Sequence, residues 1–126
     1  MAIRIVQLGS PRARGEGLRL GTVRRPPRGV PKGEIASRDF YDVWLPELAP
    51  SAPLVKLALD AKVPWPRFEK KYRAEMKAPA ASHVLDLLAA MSHTSWIAVG
   101  CYCEDEARCH RSVLRAILEE RGATVA

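Results

Sequence analysis

The most constraining feature of the chain is an apolar segment, residues 95–102, that leads directly into a polar loop and a helix start. The segment is apolar on both faces, which is typical of a strand inside a parallel sheet covered by other layers. The polar loop ends at Cys109-His110, where the next helix is predicted to begin. All three cysteines of the chain lie between residues 101 and 109. The sequence therefore predicts a functional site where this strand meets this helix.

The remaining elements follow from periodicity and from proline and glycine positions. Alternating or β-branched segments predict strands at residues 3–8, 18–23 and 40–45, with a short final strand at 123–125. Apolar stripes predict four helices, capped or started by Ser51, Pro66, Ser82 and Cys109. The order β-β-β-α-α-α-β-α predicts an α/β fold: a single three-layer domain with a central, mostly parallel sheet flanked by helices.

Size and composition limit the class of protein. A chain of 126 residues with 48% hydrophobic residues suits one domain spanning residues 1–126. No apolar run approaches the roughly 18 residues of a membrane span, so no membrane partner is expected. The N-terminus lacks an apolar signal core, and an odd number of cysteines argues against a disulfide framework. We therefore expect a cytoplasmic protein with free thiols, whose oligomeric state the sequence leaves open.

Positive charge is concentrated in the first third of the chain. Residues 1–38 hold nine Lys/Arg and two Asp/Glu (9 − 2 = +7), whereas residues 39–126 hold eleven and twelve (11 − 12 = −1). Much of the excess lies in a basic, Pro/Gly-rich loop at residues 24–38. Such a loop suits a nucleic acid, a phosphorylated ligand or an acidic protein surface, and it is equally typical of a solvated loop. A scaffold that docks a partner protein through this loop is therefore one alternative.

The leading hypothesis is an anion site at the start of the last helix. Free backbone N–H groups and the positive end of the helix dipole attract anions there. Guanidinium groups from two parts of the chain and one hydroxyl are predicted to join them: Arg24, Arg28, Arg108, Arg111 and Ser112. The expected ligand is a phosphorylated small molecule or a nucleic acid. In the competing interpretation, Arg108 and Arg111 simply pair with acidic residues nearby.

A thiol-dependent enzyme is the main alternative. Cys109 at a helix N-terminus is expected to have a lowered pKa, and Cys101, Cys103 and His110 are further catalytic candidates. Neighbouring residues on a helix point in different directions, so His110 is predicted to be a poor base for Cys109. The strand–Cys–loop–helix order is similar to that of protein tyrosine phosphatases and rhodaneses. Those proteins place five residues between Cys and Arg, whereas Arg108 follows Cys103 after four residues and Cys101 after six.

Zinc is a minor alternative at the same place. Four potential ligands are available there: Cys101, Cys103, Cys109 and His110. Cys101 and Cys103 share one face of the strand and can chelate together, but structural zinc sites prefer ligands on tight turns. A thiol pair that cycles between oxidised and reduced forms is another minor alternative. No other cofactor is predicted.

Residues 101–112 resemble the signature of the domain-of-unknown-function 488 family, which includes YeaO-like proteins. Three further blocks are similar to blocks of that family in the same order: residues 24–29, 44–51 and 68–75. The chain departs from the family pattern at Val23 and Pro26, where Asp and Trp are usual. The resemblance implies an α/β fold and a site built from these blocks, and it brings no established activity.

Overall fold

Four parallel strands form one sheet in the order β1-β4-β2-β3. In a computed structural model that describes residues 1–126, these strands are β1 (Ile3–Gln7), β2 (Leu18–Gly21), β3 (Val43–Trp44) and β4 (Ile97–Cys101). Strand β4 is fully buried and pairs along its length with β1, from Ile3 opposite Ile97 to Gln7 opposite Cys101. The interior position predicted for this strand explains why both of its faces are apolar.

Four α-helices complete the fold: α1 (Ala52–Leu59), α2 (Trp65–Glu75), α3 (Pro79–Met91) and α4 (His110–Glu120). Short 3₁₀ turns occupy Lys32–Glu34, Pro46–Leu48 and Glu106–Arg108. An all-parallel sheet with four helices confirms the predicted α/β fold. None of these helices is long and apolar enough to cross a membrane.

The main core lies between the helices and one face of the sheet. Each helix contributes buried side chains, and the strands contribute Ile3, Leu20, Ile97 and Val99. At the centre, Tyr72 of α2 is fully buried, and its hydroxyl donates to the Leu48 carbonyl at 2.7 Å. This core fixes α4, and therefore the start of α4, against the end of β4.

The opposite face of the sheet is covered by loops. Gly21 and Gly100 follow the core-facing residues Leu20 and Val99, so they lie on the face of the sheet away from the helices. Tyr41 packs on Gly21, and Leu8 packs on Gly100, so closely that a Cβ on either glycine would lie under 3.0 Å from its neighbour. Arg19 on this face is fully buried and pairs with Glu16 at 2.8 Å. The long N-terminal loops are thus an ordered layer of the fold.

Three details of the sequence interpretation differ from the structure. Residues 40–45 were expected to form a buried strand, but only Val43 and Trp44 pair, and both are exposed because β3 lies at the sheet edge. Ser82 was expected to cap α3, but the helix begins at Pro79, where proline is tolerated because the first N–H of a helix has no partner. The short strand expected at 123–125 is reduced to a bridge between Ile3 and Val125.

Candidate active site

A cavity of about 450 Å³ opens at the carboxyl end of β4. One wall is apolar and comes from α1 and α2, through side chains that include Val55, Leu59 and Phe68. The lining also includes the three cysteines and His110, from the end of β4 and the start of α4. The cavity therefore combines an apolar surface with a cluster of sulfur atoms.

The three thiols form a compact cluster. The Sγ atoms of Cys101, Cys103 and Cys109 all lie within 4.8 Å of one another, and those of Cys101 and Cys103 are 3.8 Å apart. Cys101 is the last residue of β4, Cys103 lies in the following loop, and Cys109 is the N-cap of α4. Cys101 and Cys109 are buried, whereas Cys103 is exposed, and none forms a disulfide. The sheet and the helix together place these sulfurs at one end of the cavity.

His110 is oriented towards the Cys109 sulfur. Its Nε2 lies 2.7 Å from the backbone carbonyl of Thr22, which can only accept, so Nε2 carries the hydrogen. The other ring nitrogen, Nδ1, then faces Cys109 Sγ at 3.7 Å. The two side chains were expected to diverge as neighbours on a helix, but Cys109 has an extended backbone (φ −127°, ψ 150°) and lies just outside the helix. A cysteine, a histidine and an orienting carbonyl are the arrangement of an activated thiol.

Arg111 supplies a buried positive charge beside the same sulfur. The side chain is 3% exposed, its Nε donates to Cys109 Sγ at 3.5 Å, and its Nη2 donates to the Cys103 carbonyl. No carboxylate pairs with Arg111, and Glu106 pairs with Arg115 at 3.2 Å instead. The alternative that Arg111 serves only to neutralise an acidic neighbour was therefore wrong. A buried cation without a carboxylate favours a negative charge on the adjacent sulfur.

The three thiols differ in their affinity for a proton. Hydrogen bonds from Cys101 and Cys103, supported by His110, hold the pKa of Cys109 well below its usual range despite burial. Hydrogen bonding to Cys103 and Cys109, together with burial, raises the pKa of Cys101. Cys101 acts to lower the pKa of Cys103, but Cys109 and burial outweigh it and the pKa of Cys103 is raised. Of the three thiols, Cys109 is therefore the one whose pKa is lowered.

Comparison with known proteins identifies the family. The sequence model described as "Active DUF488-N3 subclade" matches residues 3–122. The chain belongs to the DUF488 family. This confirms the assignment made from the block at 101–112 and its three companions. No curated protein and no solved structure gave a significant match to the chain.

The arginines predicted for the anion site are distributed differently in this DUF488 chain. Arg24 and Arg108 line the cavity, whereas exposed Arg28, buried Arg111 and Ser112 lie outside the cavity lining. Arg24 donates to the backbone carbonyls of residues 46, 49 and 50, and the Arg108 guanidinium lies 5.2 Å from the centre of the Trp65 ring. Ser112 donates to the Cys109 carbonyl at 3.0 Å. Only part of the predicted set therefore faces a common space.

Sequence reasoning missed two cations of the DUF488 cavity, Arg25 and Lys56. The Arg25 carbonyl accepts a hydrogen bond from the Tyr102 hydroxyl at 2.8 Å, which holds the loop beside the cysteine cluster. Trp44 similarly donates to the Val23 carbonyl at 2.7 Å. The adjacency of Arg25 to Arg24 was a usable signal, whereas nothing in the sequence pointed to Lys56. No acidic side chain lines the cavity, so its Lys and Arg side chains have no counter-charge within the lining.

The three sulfurs of the DUF488 site could also hold a metal ion. In a tetrahedral zinc site with bonds of about 2.3 Å, two sulfurs lie about 3.8 Å apart, and the Cys101–Cys103 separation is 3.8 Å. The group of mutually close ligand atoms contains only the three thiols, and His110 is not part of it. The donor set is thus compatible with three thiolate ligands, while the guanidinium of Arg111 next to Cys109 competes with a cation.

Proposed function

We propose that the protein is a thiol-dependent enzyme in which Cys109 is the nucleophile and His110 holds its proton. The observation that carries this proposal is the position of Cys109 Sγ, which faces His110 Nδ1 at 3.7 Å and Arg111 Nε at 3.5 Å. The Thr22 carbonyl fixes the histidine tautomer that such a role requires. Sγ would attack an electrophilic centre of the substrate, and the proton kept on His110 would pass to the leaving group.

The cavity supports a phosphorylated small molecule as the substrate. Four cationic side chains line it without an acidic one: Arg24, Arg25, Lys56 and Arg108. A volume of about 450 Å³ falls in the range of small-molecule sites, which favours a small molecule over a nucleic acid. The apolar wall from α1 and α2 would receive the uncharged part of that molecule. We therefore propose a substrate with an anionic group bound by these cationic side chains and an apolar body against this wall.

The nucleophile can be tested by alkylation with iodoacetamide across a pH series, with each cysteine followed by peptide mass spectrometry. Cys109 is expected to react at pH 6 nearly as fast as at pH 8, because its pKa lies below the ordinary thiol value. Exposed Cys103 is expected to react more slowly at pH 6, since its pKa is raised. Replacing His110 with asparagine should raise the pKa of Cys109. A rise to about 7 would leave roughly one thiol in ten ionised at pH 6 and slow its alkylation about tenfold.

A second measurement detects the thiolate directly, so its result does not depend on how easily iodoacetamide reaches each cysteine. The ultraviolet absorbance of thiolate, titrated in wild type and in Cys109→Ser, should show one thiolate at pH 6 that the variant lacks. If all three cysteines alkylate and ionise only above about pH 8.5, the value of a free thiol, the proposal fails. Tightly bound zinc in stoichiometric amount in the purified protein would also contradict it, because a metal-bound sulfur is not a free nucleophile.

The anionic substrate class gives a separate prediction. Inorganic phosphate should raise the melting temperature of the protein, because a ligand that binds only the folded state stabilises it. Arg25→Ala should reduce this shift, since Arg25 lines the cavity. Arg28→Ala is the matched control, because Arg28 is exposed and outside the lining. Equal losses in both variants, or no shift with phosphate in wild type, would contradict an anion site in the cavity.

A further inference from the structure

The cysteine cluster contains more sulfur than a single nucleophile needs. Besides Cys109, two other thiols have their Sγ atoms within 4.8 Å of it. We propose that Cys109 and Cys103 form a dithiol couple that reduces hydroperoxides, with Cys109 attacking the peroxide and Cys103 resolving the product. This activity rests on the nucleophilic Cys109 of the proposed function, and it does not depend on the phosphorylated substrate.

The fold distinguishes the two candidate partners of Cys109. Cys101 lies within the β4 ladder, where its carbonyl accepts from the Leu8 N–H at 2.8 Å, and its side chain is buried. Cys103 lies in the loop between β4 and the 3₁₀ turn, and its side chain is exposed. A disulfide needs the two sulfurs to approach to about 2.05 Å, so one of them must move by more than an ångström. The loop residue can make that movement without breaking the sheet.

The exposure of Cys103 also allows an external thiol to reduce the disulfide again. A disulfide is opened by a thiolate that attacks one of its sulfurs, so at least one sulfur must be reachable from solvent. Cys101 and Cys109 are both buried, so a bond between them would be less accessible to an external thiol than a bond that includes exposed Cys103. A bond between Cys103 and Cys109 offers the Cys103 sulfur to an external reductant. The geometry thus favours a reversible couple at positions 103 and 109.

The proposed reaction has two balanced steps. First, the Cys109 thiolate attacks the outer oxygen of the hydroperoxide, the O–O bond breaks, and Cys109 becomes a sulfenic acid. The alcohol or water that leaves takes the proton held on His110, and the Arg111 guanidinium beside Sγ favours the attacking thiolate. Second, the Cys103 thiol attacks the sulfenic sulfur, forming the disulfide and releasing water. Two molecules of an external thiol then reduce the disulfide.

The products can be identified by treating the reduced protein with one equivalent of hydrogen peroxide and mapping its tryptic peptides. Trypsin cleaves after Arg108 and Arg111, so Cys109 is released in the peptide 109–111, while Cys101 and Cys103 share the peptide 78–108. The expected product is these two peptides joined. Fragmentation on either side of Tyr102 should place the link on Cys103.

Two variants sharpen the test. Cys103→Ser should form no disulfide, because no resolving thiol remains, and with excess hydrogen peroxide a second equivalent should oxidise its Cys109 sulfenic acid to sulfinic acid. Cys101→Ser is the matched control and should still give the link between residues 103 and 109. Consumption of hydrogen peroxide in the presence of dithiothreitol should persist in wild type and be lost in Cys109→Ser and in Cys103→Ser.

The results separate this activity from the proposed function. If Cys109 alkylates rapidly at pH 6 but wild type forms no intramolecular disulfide, the peroxide activity is overturned and the thiol enzyme stands. A link between Cys101 and Cys109 in wild type would overturn the assignment of Cys103. If Cys109 neither alkylates nor oxidises ahead of Cys103, both proposals fail together.

Discussion

Replacing Glu16 with glutamine is expected to lower the free energy of unfolding by about 3–5 kcal/mol, the usual loss when one partner of a buried ion pair is removed. Glu16 is 3% exposed and Arg19 is fully buried. The carboxylate accepts from Arg19 Nε at 2.8 Å and from Nη2 at 2.9 Å, and the second Nη donates to the carbonyls of Ser10 and Asp39. Glutamine keeps the shape but leaves a buried guanidinium without a counter-charge. Urea unfolding at neutral pH measures the loss.

Glu34→Gln is the matched control, because Glu34 is exposed and its loss should change stability little. The pH dependence gives a second check. Burial acts to raise the pKa of Glu16, but the hydrogen bonds and charge of Arg19 prevail and lower it. The ion pair therefore stabilises the fold above the unfolded carboxyl value of about 4.3, and this contribution disappears as pH falls through the lower folded value. The difference between wild type and Glu16→Gln should narrow in acid; a difference independent of pH would contradict the ion-pair explanation.

Gly17→Ala is expected to cost roughly 3 kcal/mol, from a disfavoured backbone and an overpacked contact together. Gly17 has φ +84°, in the left-handed region that L-residues with a side chain avoid. A Cβ there would lie 1.8 Å from the carbonyl oxygen of Trp96, immediately before β4. Since that oxygen belongs to the backbone, the overlap could be removed only if the first residues of β2 and β4 moved apart. Thermal and urea unfolding of the variant measure the effect.

Gly15→Ala separates the two contributions to this loss. Gly15 has a similar φ of +72°, but nothing lies within 4 Å of the position its Cβ would take. Its replacement should therefore cost only the backbone part, about 1 kcal/mol. Equal losses in the two variants would mean that the contact with Trp96 carries no weight. A larger loss in Gly17→Ala would identify the close approach of β2 to β4 as a requirement of the sheet.

The sequence predicted an element correctly where burial of that element's own side chains produced its hydrophobic pattern. The doubly apolar β4 predicted an interior parallel strand, and the stripe of α4 predicted its buried face, because burial acts directly on those side chains. The extent of β3 was not accessible. Tyr41 is buried against Gly21 rather than in a strand, so hydrophobicity at residues 40–45 reflected packing of a loop on the sheet. Local pattern does not distinguish these two causes of burial.

The candidate site likewise has features that the sequence predicted and features that it did not. Cysteines within nine residues on a strand–loop–helix unit had to lie near one another, and the sequence predicted their proximity. The orientation of His110 depends on the Thr22 carbonyl, 88 positions away, and the extended backbone of Cys109 reverses the helical expectation. Arg28 was expected to lie beside Arg24. In an irregular loop, however, the spacing of two residues does not determine which way their side chains point. Such long-range contacts are set by tertiary packing and leave no periodic signal.

The hydrogen bonds that anchor residues 23–25 have a consequence for ligand binding. Side chains of Trp44 and Tyr102 hold the carbonyls on either side of Arg24, whose own guanidinium is fixed by three further carbonyls. This part of the cavity lining is therefore already ordered, and the proposed ligand would lose little conformational entropy in ordering it. Free and occupied forms should superpose closely here, and differences in affinity among related ligands should appear mainly in how long each one stays bound.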